Sequence, residues 1–236
     1  MPSTLGTPSS SSGKARIVVW VILAAVVVGL VAAFAIGRAL DTTVDDASAT
    51  GATQNGGQDA GQVVREDSRV LSQAPQEEAV LVEFLDFECE ACAAAYPVVE
   101  ELRTEHADNL TVVQRYFPLP GHPNSMTAAI AVESAAQQGA YEAMYQRMFE
   151  TQTEWSHTTE DRSPVFRGYA EELGLDLEAY DAAVADPATR ARVEADVADG
   201  KALGVQGTPT FFLDGRPLTV ESLDEFRTEI ADAVEN

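Results

Sequence analysis

Cysteine is almost absent: Cys89 and Cys92 are the only two in 236 residues, too few for a chain held together by a disulfide framework. Histidine is nearly as scarce. A structural zinc needs about four ligands, and His106, His122 and His157 form no second paired cluster to complete one. No metal and no organic cofactor is therefore expected. Lysine occurs only at Lys14 and Lys201, and 15 basic residues face 38 acidic ones for a net charge of −23. So acidic a chain is a poor partner for nucleic acid or anionic lipid. The acid is also absent from one place, because no Asp or Glu precedes Asp41, whereas Lys14, Arg16 and Arg38 do. Everything after residue 40 is thus more acidic than the whole.

Long apolar runs are lacking except one. Ile17 to Ile36 holds twenty residues without a charge, enough to cross a bilayer core of about 30 Å as a helix. Residues 1–16, rich in Ser, Thr, Pro and Gly, read as a disordered tail. Lys14 and Arg16 keep that tail cytoplasmic, which predicts a single-pass cell-membrane protein with the rest of the chain extracytoplasmic. A cleavable signal is the alternative, since Ala33-Phe-Ala35 satisfies a small-residue cleavage rule. Residues 37–66 read as a flexible linker, dominated between Asp41 and Gln62 by Asp, Thr, Ala, Ser, Gly and Gln without an aromatic. Either reading puts the cysteines where disulfides persist.

The cysteines close a strand-like run, Val80 to Phe87, and open an Ala-rich stretch of helical character. A Cys-x-x-Cys pair at a strand-to-helix junction reads as an exchangeable disulfide. Two intervening residues let the sulfurs meet, and the amides and positive end of the helix favour a thiolate on Cys89. Cys89 is then the nucleophile, and Cys92, a turn deeper, resolves the mixed disulfide. An inert structural bond is a poor alternative, because so short a loop constrains the unfolded chain little. Glu83 interrupts the apolar run. A carboxylate buried in a central strand is costly unless neutralised or paired, so Glu83 is read as the proton acceptor for Cys92, its proton affinity raised by burial. The alternative is a strand-end Glu that reaches solvent.

Thr111 to Phe117 reads as a further strand, and residues 124–204 as a block of helices punctuated by Gly139, Ser163-Pro164, Gly174 and Asp186-Pro187. Thr210 to Leu213, Asp214-Gly215 and Arg216 to Val220 form a hairpin pattern. Ser222 and Glu225 then open a terminal helix as a capping box.

Glu83-Phe-x-Asp-Phe-x-Cys-x-x-Cys92, Phe117-Pro-Leu, Gln138-Gly and Val205-Gln-Gly-Thr-Pro-Thr, in this order, resemble the DsbA-like branch of the thioredoxin superfamily. The resemblance implies an α/β thioredoxin-like fold with an inserted helical domain over residues 67–236, here preceded by a single transmembrane helix. It implies a cis peptide before Pro209, with Thr208 and Pro209 shaping the substrate groove and Thr208 pairing with an extended substrate strand. It implies thiol-disulfide exchange with exported cysteine-containing proteins, in the disulfide-donor direction, and a quinone-linked or electron-carrying membrane partner. A membrane-tethered reductase or isomerase is the first alternative; a copper-binding chaperone is the second, though no Met or His near the pair extends its ligand set. The chain departs from the family at Glu90 and Ala91, which stand where many members carry Pro, an aromatic or His. Together with Asp86 and Glu88, Glu90 is expected to disfavour the thiolate, giving a Cys89 less acidic and a disulfide less oxidising than in the strongest oxidases. His122 is the candidate for a compensating cation.

Overall fold

The computed structural model describes residues 62–235. The expected tail, membrane span and most of the linker lie outside the described residues, among which no helix is long and apolar enough to cross a membrane.

The first strand, β1 (Arg69–Ser72), is short. The second, β2 (Ala79–Leu85), is buried at nearly every position, as a strand covered on both faces should be. It ends two residues earlier than the apolar run predicts, and Asp86 to Glu88 turn the chain into α1 (Glu90–Glu105). The helix runs through Pro97 without interruption. β3 (Leu110–Tyr116) returns parallel to β2. Six helices follow: α2 (Ser125–Ala136), α3 (Tyr141–Glu150), α4 (Gln152–Trp155), α5 (Ser163–Glu172), α6 (Leu177–Ala185) and α7 (Pro187–Ala202). The chain closes with β4 (Thr210–Leu213), β5 (Arg216–Leu218) and α8 (Leu223–Glu235). The sheet order is β1-β3-β2-β4-β5, with only β2 and β3 parallel. This is the thioredoxin-like sheet, and α2 to α7 are the helical insertion.

Local chemistry explains most boundaries. Asp176 accepts from the Glu178 and Ala179 amides, and Asp186 from that of Ala188, capping α6 and α7. Ser222 Oγ accepts from Glu225 N, while Glu225 reaches back to Glu221 N rather than to Ser222. Asp214 (φ 50) and Gly215 (φ 76) make the hairpin turn. Ser163 is not a cap: it is the first residue of α5, and Asp161 accepts from both its amide and its hydroxyl.

Alternation along β2 divides the core. Leu81 and Leu85 join a large cluster with Val98, Val99, Leu102, Met144, Met148 and Phe226, whereas Val82 and Phe84 join a smaller one with Phe117, Val205 and Phe212. Period two places Glu83 on the side of Leu81 and Leu85. On the other side, the buried Arg115 guanidinium bonds Asp196 at 2.6 Å, Asp199 at 2.7 Å and the Gln62 and Val63 carbonyls at 2.7 Å. Buried charge so saturated ties both α7 and the start of the domain to β3.

Gly200 lets α7 approach that smaller core. A Cβ there would lie 2.7 Å from the Phe117 ring and 3.1 Å from that of Phe84. Alanine is the better helix former by about 1 kcal/mol, but overpacking costs about 1–3 kcal/mol. Gly200→Ala is therefore expected to lower the melting temperature; a rise would show that the rings move aside freely.

Candidate active site

Cys89 is the N-cap residue of α1, with extended backbone (φ −79, ψ 124) and no side-chain cap bond. Its sulfur is thus free to receive the donors of the first turn instead of satisfying them from an oxygen. It keeps 7% of its surface and Cys92 none, so an incoming sulfur meets Cys89 first. The thiol of Cys89 lies 3.3 Å from the Thr208 carbonyl and donates to it. The Thr208–Pro209 peptide is cis, and the hairpin that follows pairs β4 with β2. Sequence positions 119 residues apart are thereby brought into contact.

The two sulfurs differ sharply. A hydrogen bond from Cys92 does most to hold Cys89 down at about 5; burial opposes it, and the Thr208 side chain and the Cys92 and Ala91 amides add to it. The Thr208 hydroxyl is buried and bonded to nothing else among the described residues, so it is available to a thiolate. Burial pushes the Cys92 thiol far up, reinforced by its bond to Cys89 and by the charge of Glu83. A value of about 5 lies between the most acidic and the thioredoxin-type cysteines, roughly 3.5 and 7.

Glu83 is 1% exposed, so it does not reach solvent from a strand end. Burial raises it to about 8; Gln114 opposes the shift, and the charges of Cys89 and Glu100 support it. Gln114 sits opposite Glu83 in the β2–β3 register and donates from Nε2 to Glu83 Oε2 at 3.4 Å. Tyr141 in turn donates to Gln114 Oε1 at 2.6 Å.

The acidic residues around the pair have partners that their sequence neighbourhood does not show. Asp86 accepts from the Glu88 and Leu119 amides at 2.8 and 2.9 Å, and its Oδ2 lies 2.6 Å from His122 Nδ1. Burial opposes a charge on His122, yet the Asp86 carboxylate raises its proton affinity above the ordinary value. Glu88, fully buried, accepts from the Asn124 amide at 2.6 Å and the His157 amide at 3.0 Å. Glu90 is the exposed one, 3.0 Å from His157 Nε2. Gln152 of α4 donates to the Phe87 and Cys89 carbonyls at 2.8 and 2.9 Å.

Of the residues singled out in the sequence, the structure groups Cys89, Cys92, Glu83 and Thr208, and puts Ala91 and Pro209 in one groove with Ala95, Phe211 and Val220. His122 also arrives, by way of Asp86. His157, Gln152, Gln114 and Tyr141 carry no sequence signal, because each reaches the site by tertiary folding alone.

Comparison with known proteins agrees with this geometry. The family model described as Thioredoxin matches residues 73–232. Among curated proteins, a Na(+)/H(+) antiporter NhaA of Herminiimonas arsenicoxydans is 43% identical over 138 residues, 58% of this chain and 21% of that protein. An NhaA 1 of Salinispora arenicola is 40% identical over 144 residues, 60% and 21% of the two chains. The chain thus spans about a fifth of the length of the curated relatives it matches. Among solved structures, a thioredoxin-like oxidoreductase from Silicibacter pomeroyi is 28% identical with a TM-score of 0.59, covering 72% of this chain and 92% of its own. Oxidised BdbD from Bacillus subtilis shares the fold at 17% identity, with a TM-score of 0.64 over 75% and 98% of the two chains. Wolbachia pipientis alpha-DsbA1 does so at 17%, with a TM-score of 0.61 over 73% and 94%. The chain belongs to the thioredoxin family, in the DsbA-like form in which helices are inserted into the thioredoxin fold.

Proposed function

We propose that the protein is an extracytoplasmic thiol-disulfide oxidoreductase that donates the Cys89–Cys92 disulfide to exported proteins. The observation that carries this reading is the asymmetry of the pair: an acidic, reachable sulfur at a helix N-terminus and a buried, strongly basic one behind it. A substrate thiolate attacks Cys89, and the Cys89–Cys92 bond breaks. Cys92 leaves and takes a proton from neutral Glu83. A second substrate thiolate then attacks its own sulfur in the mixed disulfide and expels Cys89, which its low proton affinity makes a good leaving group. The substrate loses two electrons and the pair gains them. An extended substrate strand pairs with the Thr208 backbone and lays its side chains into the Pro209 groove. A redox partner in the membrane restores the disulfide.

The membrane setting rests on Ile17 to Ile36 and gains support from the relatives. A segment like this one occupies about a fifth of proteins named as sodium–proton antiporters, which fits a domain that works beside a bilayer.

Two outcomes follow. The oxidised full-length protein is expected to convert a reduced two-cysteine peptide to its disulfide. The Cys92→Ser protein, reduced and given a peptide disulfide, is expected to accumulate a Cys89 mixed disulfide visible by mass spectrometry. No conversion, or trapping through neither sulfur, would contradict the reading. Glu83→Gln is expected to slow peptide oxidation about 100-fold at neutral pH, by a ratio to wild type that shrinks as pH rises through about 8. The sign for stability is fixed too. Folding raises the proton affinity of Glu83, so its neutral form favours the fold fully below the ordinary carboxyl range, and that advantage is lost as pH rises through about 8. Wild type should therefore lose melting temperature relative to Glu83→Gln over that interval; parallel curves would place Glu83 outside the core.

A further inference from the structure

The turn Asp86-Phe-Glu-Cys-Glu90 carries three carboxylates around one thiolate, an arrangement that by itself works against ionisation. Two histidines from separate segments bracket it. His122 comes from the loop between β3 and α2, with Nδ1 2.6 Å from Asp86 Oδ2. His157 comes from the loop between α4 and α5, with Nε2 3.0 Å from Glu90 Oε1. The two imidazoles meet edge to face with centroids 6.2 Å apart, so they form one unit. Buried Glu88 holds both loops in place, one carboxylate oxygen on the Asn124 amide and the other on the His157 amide. His157 has φ 57, a left-handed conformation uncommon outside glycine. Such a conformation persists where the surroundings enforce it, and these clusters concentrate at functional sites.

We propose that His122, packed edge to face against His157, is a positioning residue for the redox couple: its positive charge in acid favours the Cys89 thiolate, so that the disulfide is more oxidising in acid than it would be without that imidazole. This rests on the exchange reaction proposed above. One turnover brings two electrons and two protons from a substrate dithiol. One proton stays on Cys92, which burial keeps as a thiol. Cys89 leaves as a thiolate and holds none, so the other proton goes to His122 when that imidazole is neutral, and to solvent when it is already charged. Burial opposes a charge on His122; Asp86 favours it most, and the charges of Cys89 and Glu88 add to that.

The groups that face the pair are few. His122 meets Asp86 from the turn and His157 from its own loop, feels the charges of Cys89 and Glu88, and shares a groove with Glu194 and Lys201 of α7. His157 meets Glu88, Glu90 and His122. Burial raises the proton affinity of Asp86, against its bonds from the Leu119 and Glu88 amides and from His122, and imidazole is the class that changes charge near neutrality.

The test equilibrates full-length wild type, His122→Gln and His157→Gln with glutathione at pH 5.5 and pH 8.5. His122→Gln is expected to be about tenfold less oxidising at pH 5.5, equivalent to roughly 30 mV, and within about twofold of wild type at pH 8.5. His157→Gln should shift in the same sense and by less. Equal shifts at both pH values would assign the histidines a purely structural role, and no shift at either would overturn the proposal. Thiolate absorbance of the reduced proteins supplies a readout that does not need exchange: the Cys89 midpoint should rise in His122→Gln, and an unmoved midpoint also overturns the proposal. Wild type that forms no disulfide with glutathione would instead defeat the exchange reading, and the thiolate titration would still decide this one. His157→Gln, on a different loop, keeps the test open if His122→Gln does not fold.

Discussion

Two carboxylates buried in the turn between β2 and α1 constrain everything around the cysteine pair. Asp86 and Glu88 are 1% and 0% exposed, and a buried carboxylate is tolerable only when donors saturate it. The donors come from elsewhere in the chain: the Leu119 amide and His122 ring for Asp86, the Asn124 and His157 amides for Glu88. Satisfying two side chains therefore docks the helical insertion against the strand that presents Cys89. Gln152 completes the attachment by donating to the Phe87 and Cys89 carbonyls. The insertion is in this sense part of the site, because its loops supply the polar groups without which the turn could not be buried.

Beneath the turn, the pleat of β2 does the rest. One side of the strand carries Glu83 between Leu81 and Leu85 toward the larger core, which also holds Cys92; the other carries Val82 and Phe84 toward Phe117 and α7. A single alternation thus places the Glu83 carboxyl in the core that holds both cysteines and the side chains of Val82 and Phe84 in the other. The same low-dielectric setting raises Glu83 and Cys92 together, while the hydrogen bond from Cys92, the Thr208 side chain and the first-turn amides lower Cys89 against burial. Opposite shifts in neighbouring groups are the signature of a site arranged for proton and electron traffic.

Much of this was legible in the residues. The cysteine spacing, the Asp214-Gly215 turn and the Asp186-Pro187 start of α7 follow from local rules, since each depends on partners within a few positions, and the apolar run around Glu83 already marks it as buried. The groove opposite Cys89 was legible through family resemblance, because Thr208 lies 119 residues away. What was not legible is the fate of the acids. Read along the chain, Asp86, Glu88 and Glu90 crowd a thiolate; in the fold each is occupied, by partners 33 to 69 positions distant for Asp86 and Glu88 and by His157 for Glu90. His157 belongs to a loop after α4, a four-residue helix too short to leave a periodic pattern. Ser163 has the residue type of a cap, yet it is the first residue of α5, and its amide and hydroxyl both donate to Asp161.

The difference between the two sulfurs is the claim on which the account stands, and alkylation tests it directly. The reduced full-length protein would be treated with iodoacetamide across a pH series and the labelled cysteine identified by peptide mass. Cys89 alone should react, with a midpoint near 5, while Cys92 stays unlabelled until the protein unfolds. Equal labelling of both, or a Cys89 midpoint near the ordinary thiol value of about 8.5, would contradict the account.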